Sequence, residues 1–205
     1  MTEPMVRTAL LSLLAGATCG SIPFGYFAGR LNGIDIRRHG SGNIGFTNVQ
    51  RTIGWLWAMP VLLLDVAKGL LPTAFAQPLG LTPALVGLGA ILGHVFCPWL
   101  VFRGGKGVAT TVGVAAFLCP KGLLAGLGIY VAVLAVTGFI SLSSLVFACA
   151  LPILTALIYR HSAPLLAFTL GVGALIVIRH WANIGRLANG TEPRLGLWLK
   201  LFRKT

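Results

Sequence analysis

A lysine enclosed by glycines, in Gly104-Gly105-Lys106-Gly107, is the stretch of this sequence whose residue types point most directly to chemistry. Glycine lets a backbone approach a ligand closely because it has no Cβ. The apolar run that follows predicts a helix whose first N–H groups and positive dipole end face the loop. With the lysine charge added, the stretch predicts an anion site. The alternative is a tight basic turn between two helices at a membrane surface.

A second polar stretch runs from Gly40 to Arg51. Short donors and an arginine fork suit phosphate oxygens. The glycine spacing resembles a dinucleotide fingerprint, but no apolar strand precedes it and Asp65, the acid about 20 residues on, lies within an apolar run. The alternative is a turn-rich connector whose side chains cap backbone groups. The candidate ligands are Ser41, Gly42, Asn43, Thr47, Asn48 and Arg51.

His180 and Asn183 follow the last long apolar run and share one face of a predicted helix. A histidine there could accept a proton from a substrate or donate a hydrogen bond to it. The alternative is a His–Asn pair that caps the helix end. A short polar turn predicted over residues 137–144 carries three further candidates, Ser141, Ser143 and Ser144.

Two other places hold ionisable side chains within apolar runs. Asp65 and Lys68 are three residues apart on one face of a predicted helix and predict a buried ion pair that locks two helices together, with a functional role as the alternative. His94 predicts either a hydrogen-bonded structural residue or a residue that lines a ligand cavity.

The composition places the chain in a membrane. Of 205 residues, 56% are hydrophobic and 10% charged, whereas a soluble domain carries about 25% charged residues. The net charge of +12 comes from 16 basic and four acidic residues, and the basic residues flank the apolar runs. The predicted partners are therefore the lipid bilayer and phosphorylated ligands rather than nucleic acid. The four cysteines lack metal-type spacing, and we expect no metal and no other cofactor.

The apolar runs predict an all-α integral membrane protein with about seven transmembrane helices in a single polytopic domain, residues 1–205. The fourth helix has about 13 residues, roughly 20 Å against a bilayer core of roughly 30 Å. The predicted helices cover residues 5–29, 55–77, 84–102, 107–119, 122–136, 145–159 and 165–178. The predicted cytoplasmic segments are 30–54, 102–107, 137–144 and the tail 179–205.

The basic residues outside the helices predict the orientation of the chain. Three of them fall on one predicted side, namely Arg7, Lys121 and Arg160. Twelve fall on the other, namely Arg30, Arg37, Arg38, Arg51, Arg103, Lys106, Arg179, Arg186, Arg194, Lys200, Arg203 and Lys204. This asymmetry predicts an N-terminus outside the cell, a cytoplasmic C-terminus, and polar stretches that all face the cytoplasm.

Taken in order, the polar stretches resemble those of the bacterial acyl-phosphate:glycerol-3-phosphate acyltransferases. The resemblance covers nearly the whole chain, and the ordered set is more specific than any single motif. The matching residues are Gly40-Ser41-Gly42-Asn43, Thr47-Asn48, Arg51, Asp65-x-x-Lys68-Gly69, Gly93-His94, Gly104-Gly105-Lys106-Gly107-Val108-Ala109-Thr110, Ser141-Leu142-x-Ser144, His180-x-x-Asn183-Ile184-x-Arg186-Leu187 and Gly190-Thr191-Glu192-Pro193.

The resemblance implies a seven-helix enzyme of the bacterial inner membrane with a cytoplasmic active site. It implies transfer of an acyl group from acyl phosphate to glycerol 3-phosphate, giving lysophosphatidic acid, and a peripheral acyl-phosphate-forming enzyme as partner. The catalytic residues that it implies are His180, Asn183, Lys106 and Arg51. The substrate-binding residues that it implies are Ser41, Gly42, Asn43, Thr47, Asn48, Gly104, Gly105, Gly107, Ser141, Ser143 and Ser144.

The alternative function is a small anion transporter or channel, which would also place cationic, glycine-rich sites among apolar helices. Transporters usually show inverted repeats and broken helices at the midplane. This sequence shows no internal repeat, and its polar stretches fall on one predicted side.

The sequence also predicts the acyl donor. Glycerolipid acyltransferases that use thioesters typically carry His-x-x-x-x-Asp, but Ile44, Trp99, Leu166 and Gly185 stand five residues after the four histidines. With four acids in the chain, we expect a buried acid–base pair to be hard to build. The surplus of anion-binding groups favours acyl phosphate over a thioester.

Overall fold

The computed structural model describes residues 2–160, 162–196 and 198, and within these ranges the regular elements are helices with no β-strand. The all-α prediction is confirmed. His161 and the basic residues Lys200, Arg203 and Lys204, which entered the sequence predictions, lie outside the described residues. The helices are α1 (Glu3–Gly20), α2 (Phe24–Leu31), α3 (Phe46–Ile53), α4 (Trp55–Ala74), α5 (Pro83–Val95), α6 (Val108–Leu118), α7 (Pro120–Thr137), α8 (Ile140–Ile158), α9 (Ala163–Arg179) and α10 (Trp181–Ala188).

In the described part of the chain, five helical segments are long and apolar enough to cross a membrane. They are Glu3–Leu31, Trp55–Ala74, Pro83–Leu100, Pro120–Thr137 and Ile140–Ile158. The pair α9 and α10, bent by 58°, is a sixth if it is counted as one span. Helix α6 has 11 residues, a length of about 17 Å against a core of roughly 30 Å. Seven crossings would require α6 to be one of them, so that number stays a prediction.

The first predicted helix, residues 5–29, is broken at Ser21–Pro23. Pro23 has no N–H and disfavours a helical conformation at Ile22. The exposed carbonyl groups find donors elsewhere in the chain. The Cys97 thiol donates to the Ser21 carbonyl (3.1 Å), and the Lys68 ammonium donates to the Ile22 carbonyl (2.8 Å). The break is tolerated because its backbone groups are satisfied inside the protein.

The chain divides into two compact units, the described residues up to Leu118 and those from Cys119 onward. The prediction of one domain over residues 1–205 stays a prediction. In the first unit, α1 packs on α5 through Gly16-x-x-x-Gly20 and Gly89-x-x-x-Gly93. A Cβ at any of these four glycines would overlap the backbone of the opposite helix. Small residues at this spacing let two membrane helices approach closely.

Helix α6 is held against α4 by the same device. A Cβ at Gly69 of α4 would overlap the Thr110 carbonyl, and one at Gly113 of α6 would overlap the Val66 carbonyl. Because Thr110 lies in the first turn of α6, this contact places the start of α6 beside the C-terminal half of α4.

In the second unit, α7 and α8 form a hairpin, and α9 packs on α8. The turn predicted over 137–144 is wrong in extent, because α8 begins at Ile140. All three predicted serines therefore lie in α8, and two of them bond to carbonyls one turn earlier. Ser143 donates to Phe139 (2.9 Å) and Ser144 donates to Ile140 (2.8 Å). A serine whose hydroxyl bonds to a carbonyl one turn earlier can lie within a helix. The polar composition of the stretch was therefore misinterpreted as a turn.

Candidate active site

The lysine loop, residues 103–107, leads into α6. It lies against the last turn of α5. The Gly104 N–H donates to the Val95 carbonyl (3.2 Å), and the Gly105 N–H donates to the His94 carbonyl (3.0 Å). Both glycines are buried, and a Cβ at Gly104 would overlap the His94 carbonyl. Gly107 has a φ of +87°, a conformation that favours glycine. Lys106 is half-buried.

The loop leads directly into the N-terminus of α6. At the start of this helix, the Thr111 N–H donates to the Gly107 carbonyl (2.8 Å). The amides of Val108, Ala109 and Thr110 therefore have no acceptor one turn earlier within α6. Together with the positive end of the helix dipole and the Lys106 charge, these amides can hold a phosphate group.

Asn48 shapes the first loop, residues 32–45. Its side chain is 2% exposed. Its Oδ1 accepts from the Ser41 N–H (2.8 Å), while its Nδ2 donates to the carbonyls of Ile36 (3.2 Å) and His39 (3.0 Å). These bonds fix the loop on α3. These contacts of Asn48 fit the alternative in which the stretch is a connector whose side chains bind backbone groups. A role of Asn48 in substrate binding stays a prediction.

Asn43 and Gly42 complete the shape of the first loop. Asn43 Oδ1 accepts from the Gly45 N–H (2.8 Å), just before α3 begins. Gly42 has a φ of +69°. The side chain of Ser41 is exposed at this turn, whereas Thr47 and Arg51 of α3 are half-buried. The roles of Ser41, Thr47 and Arg51 as phosphate ligands stay predictions.

An ion pair that the sequence interpretation missed also belongs to the first loop. Arg37 donates from Nε to Asp35 Oδ1 (2.9 Å) and from Nη2 to Oδ2 (2.7 Å). Its guanidinium carbon lies 4.9 Å from the centroid of the Tyr26 ring. The hydrogen bond from Arg37 holds the pKa of the Asp35 carboxyl below its ordinary value. The available signal in the sequence was a pair of opposite charges two residues apart. In the structure, Arg37 binds Asp35 and so stabilises the first loop.

In the second unit, His180 lies between α9 and α10 and is 2% exposed. Its Nδ1 is 2.8 Å from the Ile176 carbonyl. Because a carbonyl can only accept, Nδ1 carries the proton in this contact. The neutral imidazole then presents Nε2 as its basic nitrogen. The backbone therefore sets the tautomer that a proton acceptor needs.

Asn183 is held by a buried carboxylate. Its Nδ2 donates to Glu192 Oε1 (2.8 Å), and Arg186 Nε donates to Glu192 Oε2 (2.7 Å). Burial acts to raise the pKa of Glu192, but the hydrogen bonds from Asn183 and Arg186 act against it, and the pKa lies below its ordinary value. Glu192 entered the sequence prediction only through the resemblance. The sequence did offer one signal for this role. Glu192 is one of only four acids in the chain and follows the Asn-Ile-x-Arg stretch closely.

Replacing Glu192 with Gln is expected to cost about 1–3 kcal/mol of stability near neutral pH, because the charged hydrogen bonds to Asn183 and Arg186 are lost. Since the folded pKa lies below the unfolded one, the carboxylate stabilises the wild type above the ordinary pKa of 4.5, and this contribution disappears as pH falls through the folded value. Thermal unfolding of the detergent-solubilised protein from pH 7 down to about pH 3, below the ordinary pKa of 4.5, measures the effect. Glu3→Gln, at an exposed position, is the control; equal unfolding curves for the two variants would contradict the assignment.

Asp65, Lys68 and His94 form a buried cluster in the first unit. The predicted ion pair is confirmed, with Lys68 Nζ 2.8 Å from Asp65 Oδ1. His94 Nδ1 lies 3.7 Å from the same oxygen. The expectation that four acids make a buried acid–base pair hard to build is therefore wrong. Among the described residues, no group of three or more His, Cys, Asp or Glu side chains could hold a metal ion, and the absence of a metal or cofactor stays a prediction.

The chain matches the model of the glycerol-3-phosphate acyltransferase family over residues 10–190. It belongs to this family. A glycerol-3-phosphate acyltransferase of Trichlorobacter lovleyi is 45% identical over 192 residues, covering 91% of this chain and 98% of the relative. Another, from Geobacter sulfurreducens, is 44% identical and covers 95% of this chain and 98% of the relative. The resemblance inferred from the sequence is confirmed.

Solved structures of a family member also match. The glycerol 3-phosphate form of PlsY, an integral membrane glycerol 3-phosphate acyltransferase, gives a TM-score of 0.87 at 33% identity and covers 95% of this chain and 99% of that chain. The form described as containing lysophosphatidic acid gives a TM-score of 0.84 at the same identity. With its long apolar helices, this chain is a multi-pass membrane acyltransferase.

Proposed function

We propose that the protein transfers an acyl group from acyl phosphate to a hydroxyl of glycerol 3-phosphate, giving lysophosphatidic acid. The observation that carries the proposal is the lysine loop, where buried glycines place Lys106 directly before the amides that open α6. Membership of the glycerol-3-phosphate acyltransferase family supports it. So do the solved relatives described with glycerol 3-phosphate and with lysophosphatidic acid.

In the proposed reaction, positioning and electrostatics supply most of the catalysis, because the acyl phosphate is already activated. The glycerol hydroxyl oxygen attacks the carbonyl carbon, the bond from that carbon to the phosphate oxygen breaks, and phosphate leaves with the electron pair. The hydroxyl proton passes to Nε2 of His180 or to a phosphate oxygen. Lys106 and Arg51 neutralise phosphate charge, and Asn183, held by Glu192, donates or accepts a fixed hydrogen bond.

Purified protein incubated with acyl phosphate and glycerol 3-phosphate tests this function. We expect lysophosphatidic acid and inorganic phosphate to form in equal amounts, as measured by mass spectrometry and a phosphate assay. The rival anion-transport function predicts phosphate flux into protein-containing vesicles with no acylated product. Folded protein that makes no lysophosphatidic acid would refute the proposal.

His180 is proposed to act mainly by positioning. Replacing His180 with Ala is expected to lower the rate by about 100-fold, the cost of misplacing a reacting group by about 1 Å. Asn can keep a donor toward the Ile176 carbonyl, so His180→Asn should retain at least about tenfold more activity than His180→Ala. Initial rates and unfolding temperatures of both variants decide the matter. Equal, complete loss in two folded variants would instead make His180 an obligatory base.

We also propose that the active site faces the cytoplasm of the bacterial inner membrane, with the N-terminus outside. The asymmetry of basic residues supports this orientation. Topology reporters fused after Lys121 and at Thr205 should report opposite sides of the membrane. If both report the same side, the orientation is wrong. A cytoplasmic site would receive its donor from a peripheral enzyme that forms acyl phosphate, the partner that we propose.

A further inference from the structure

Three ionisable side chains of the first unit take no part in the proposed reaction, namely Asp65, Lys68 and His94. They are 2%, 6% and 4% exposed. Lys68 Nζ bonds to Asp65 (2.8 Å) and also donates to the Ile22 carbonyl at the break between α1 and α2 (2.8 Å). A buried ion pair is a poor source of stability, because apolar residues of similar volume often do as well. Ionisable groups at membrane depth are instead functional candidates.

The His94 imidazole lies directly beneath the lysine loop. A Cβ at Gly105 would overlap its Nε2, and the Gly105 N–H donates to the His94 carbonyl (3.0 Å). Gly105 is not among the glycines with positive φ, so its backbone does not require glycine. The residue must be small because the imidazole fills the space beneath it. Lys106 follows at the next position.

The imidazole has a neighbour at each ring nitrogen. Asp65 Oδ1 faces Nδ1 at 3.7 Å, and Gly105 covers the Nε2 edge. Asp65 is fixed in turn by Lys68, which is anchored to the helix break. The chain of contacts therefore runs from the break in the first helix, through α4 and α5, to the residue before Lys106.

We propose that His94, oriented by the Asp65–Lys68 pair, is a positioning residue that sets the location of Lys106 for the reaction. The inference rests on the proposed function, because it assigns the lysine loop a catalytic role. His94 acts through the loop backbone and moves no proton. An error of about 1 Å in the position of a catalytic group can cost about 100-fold in rate, so a rigid support beneath the loop has a large effect.

A double-mutant cycle at His94 and Gly105 tests the proposal. Gly105→Ala should lower kcat/KM by about 100-fold, because the new methyl group pushes the loop off the imidazole. His94→Ala should lower it by about tenfold, mainly through a higher KM for the substrate phosphate that Lys106 holds. In the His94→Ala background there is room for the methyl group, so Gly105→Ala should cost less than about threefold. Losses that simply multiply would overturn the proposal.

Two further variants separate positioning from stability. Thr155→Val removes a fully buried hydroxyl of α8, in the second unit, that bonds to the Leu151 carbonyl (2.8 Å). It should lower the unfolding temperature and leave kcat/KM within about threefold of the wild type. Asp65→Asn with Lys68→Met removes both charges and should fold, yet raise the KM as His94→Ala does. Wild-type KM in this folded double variant would also overturn the proposal.

The outcomes distinguish this inference from the proposed function. An active wild type whose His94 and Gly105 effects multiply refutes the positioning role alone. A wild type that makes no lysophosphatidic acid refutes the function. In that event the same cycle is measured as thermal stabilisation by glycerol 3-phosphate, and the Gly105→Ala loss should again shrink in the His94→Ala background. An undiminished loss would refute the positioning role there as well.

Discussion

Lys106→Ala is expected to lower kcat/KM by about 100- to 1,000-fold, the typical cost of removing one preorganised group that stabilises charge in a transition state. The lysine is half-buried and directly precedes the amides that open α6. Its charge is therefore less screened than that of a solvated surface lysine. Substrate saturation curves for both substrates, with unfolding temperatures as a check of folding, measure the effect.

Arg103→Ala is the matched control for this variant. Arg103 lies in the same loop, carries the same charge and is exposed. Charge removal at a solvated position should change kcat/KM by less than about threefold, because salt screens the interaction. If both variants lose activity equally, the loop acts through its general positive potential and not through Lys106. Near-wild-type turnover in folded Lys106→Ala would remove this residue from the site.

A similar loss of activity is predicted for removal of Arg51, which lies on α3. Arg51→Ala should cost about as much as Lys106→Ala, and Arg51→Lys should restore the activity only in part, because a point charge cannot reproduce the two-pronged hydrogen bonding of a guanidinium. Arg38→Ala, at an exposed position of the same region, is the control. Full activity in Arg51→Lys would show that charge alone suffices there.

The sequence predicted the helical class and most element bounds because long apolar runs have few other structures available in a membrane. It placed the first helix over 5–29 without its break, although Pro23 was visible. A proline is tolerated in a membrane helix when other groups satisfy the freed carbonyls, and the donors here, Lys68 and Cys97, are 46 and 76 residues away in sequence. Such long-range partners are not readable from local pattern.

The candidate site was predictable as a set of stretches but not as a set of contacts. Glycines beside a lysine before an apolar run indicated an anion site. The same residue types, however, serve ligands and backbone equally well, and the side chains of Asn43 and Asn48 are bound to backbone groups. The Gly-x-x-x-Gly repeats of α1 and α5 were an available signal for their close packing, but the sequence interpretation did not use it. The pairing of Glu192 with Asn183 depends on a turn after α10 that no periodicity encodes.

The donor is the second prediction with a large effect. Purified protein should consume acyl phosphate and show a rate at least about 100-fold lower with acyl-CoA of the same chain length, the difference that one well-placed electrostatic group makes. A departing phosphate carries charge that Lys106, Arg51 and the amides at the start of α6 can stabilise directly. A departing thiolate places its charge on sulfur, a larger and weaker acceptor that gains less from these donors.

The buried Asp65 and His94 side chains also bear on the choice of acyl donor. Asp65 and His94 form a buried acid–histidine pair, the kind of unit that thioester-dependent enzymes use as an oriented base, although here it lacks the His-x-x-x-x-Asp spacing. The Nε2 edge of this imidazole is covered by Gly105 and its Nδ1 edge by Asp65, so neither edge is presented to a substrate hydroxyl. The pair therefore does not supply the missing thioester chemistry.

The test compares the two donors in one preparation, with release of inorganic phosphate and of free thiol measured beside lysophosphatidic acid. Acyl phosphate should give one phosphate per product, and acyl-CoA should give little thiol above the enzyme-free rate.

The same comparison in Lys106→Ala shows which phosphate the lysine binds. If the lysine stabilises the leaving phosphate, its loss should slow the acyl-phosphate reaction far more than any residual acyl-CoA reaction. Comparable rates with both donors would refute the donor assignment while leaving acyl transfer to glycerol 3-phosphate intact. An equal loss with both donors would instead place Lys106 on the phosphate of glycerol 3-phosphate, which the two reactions share.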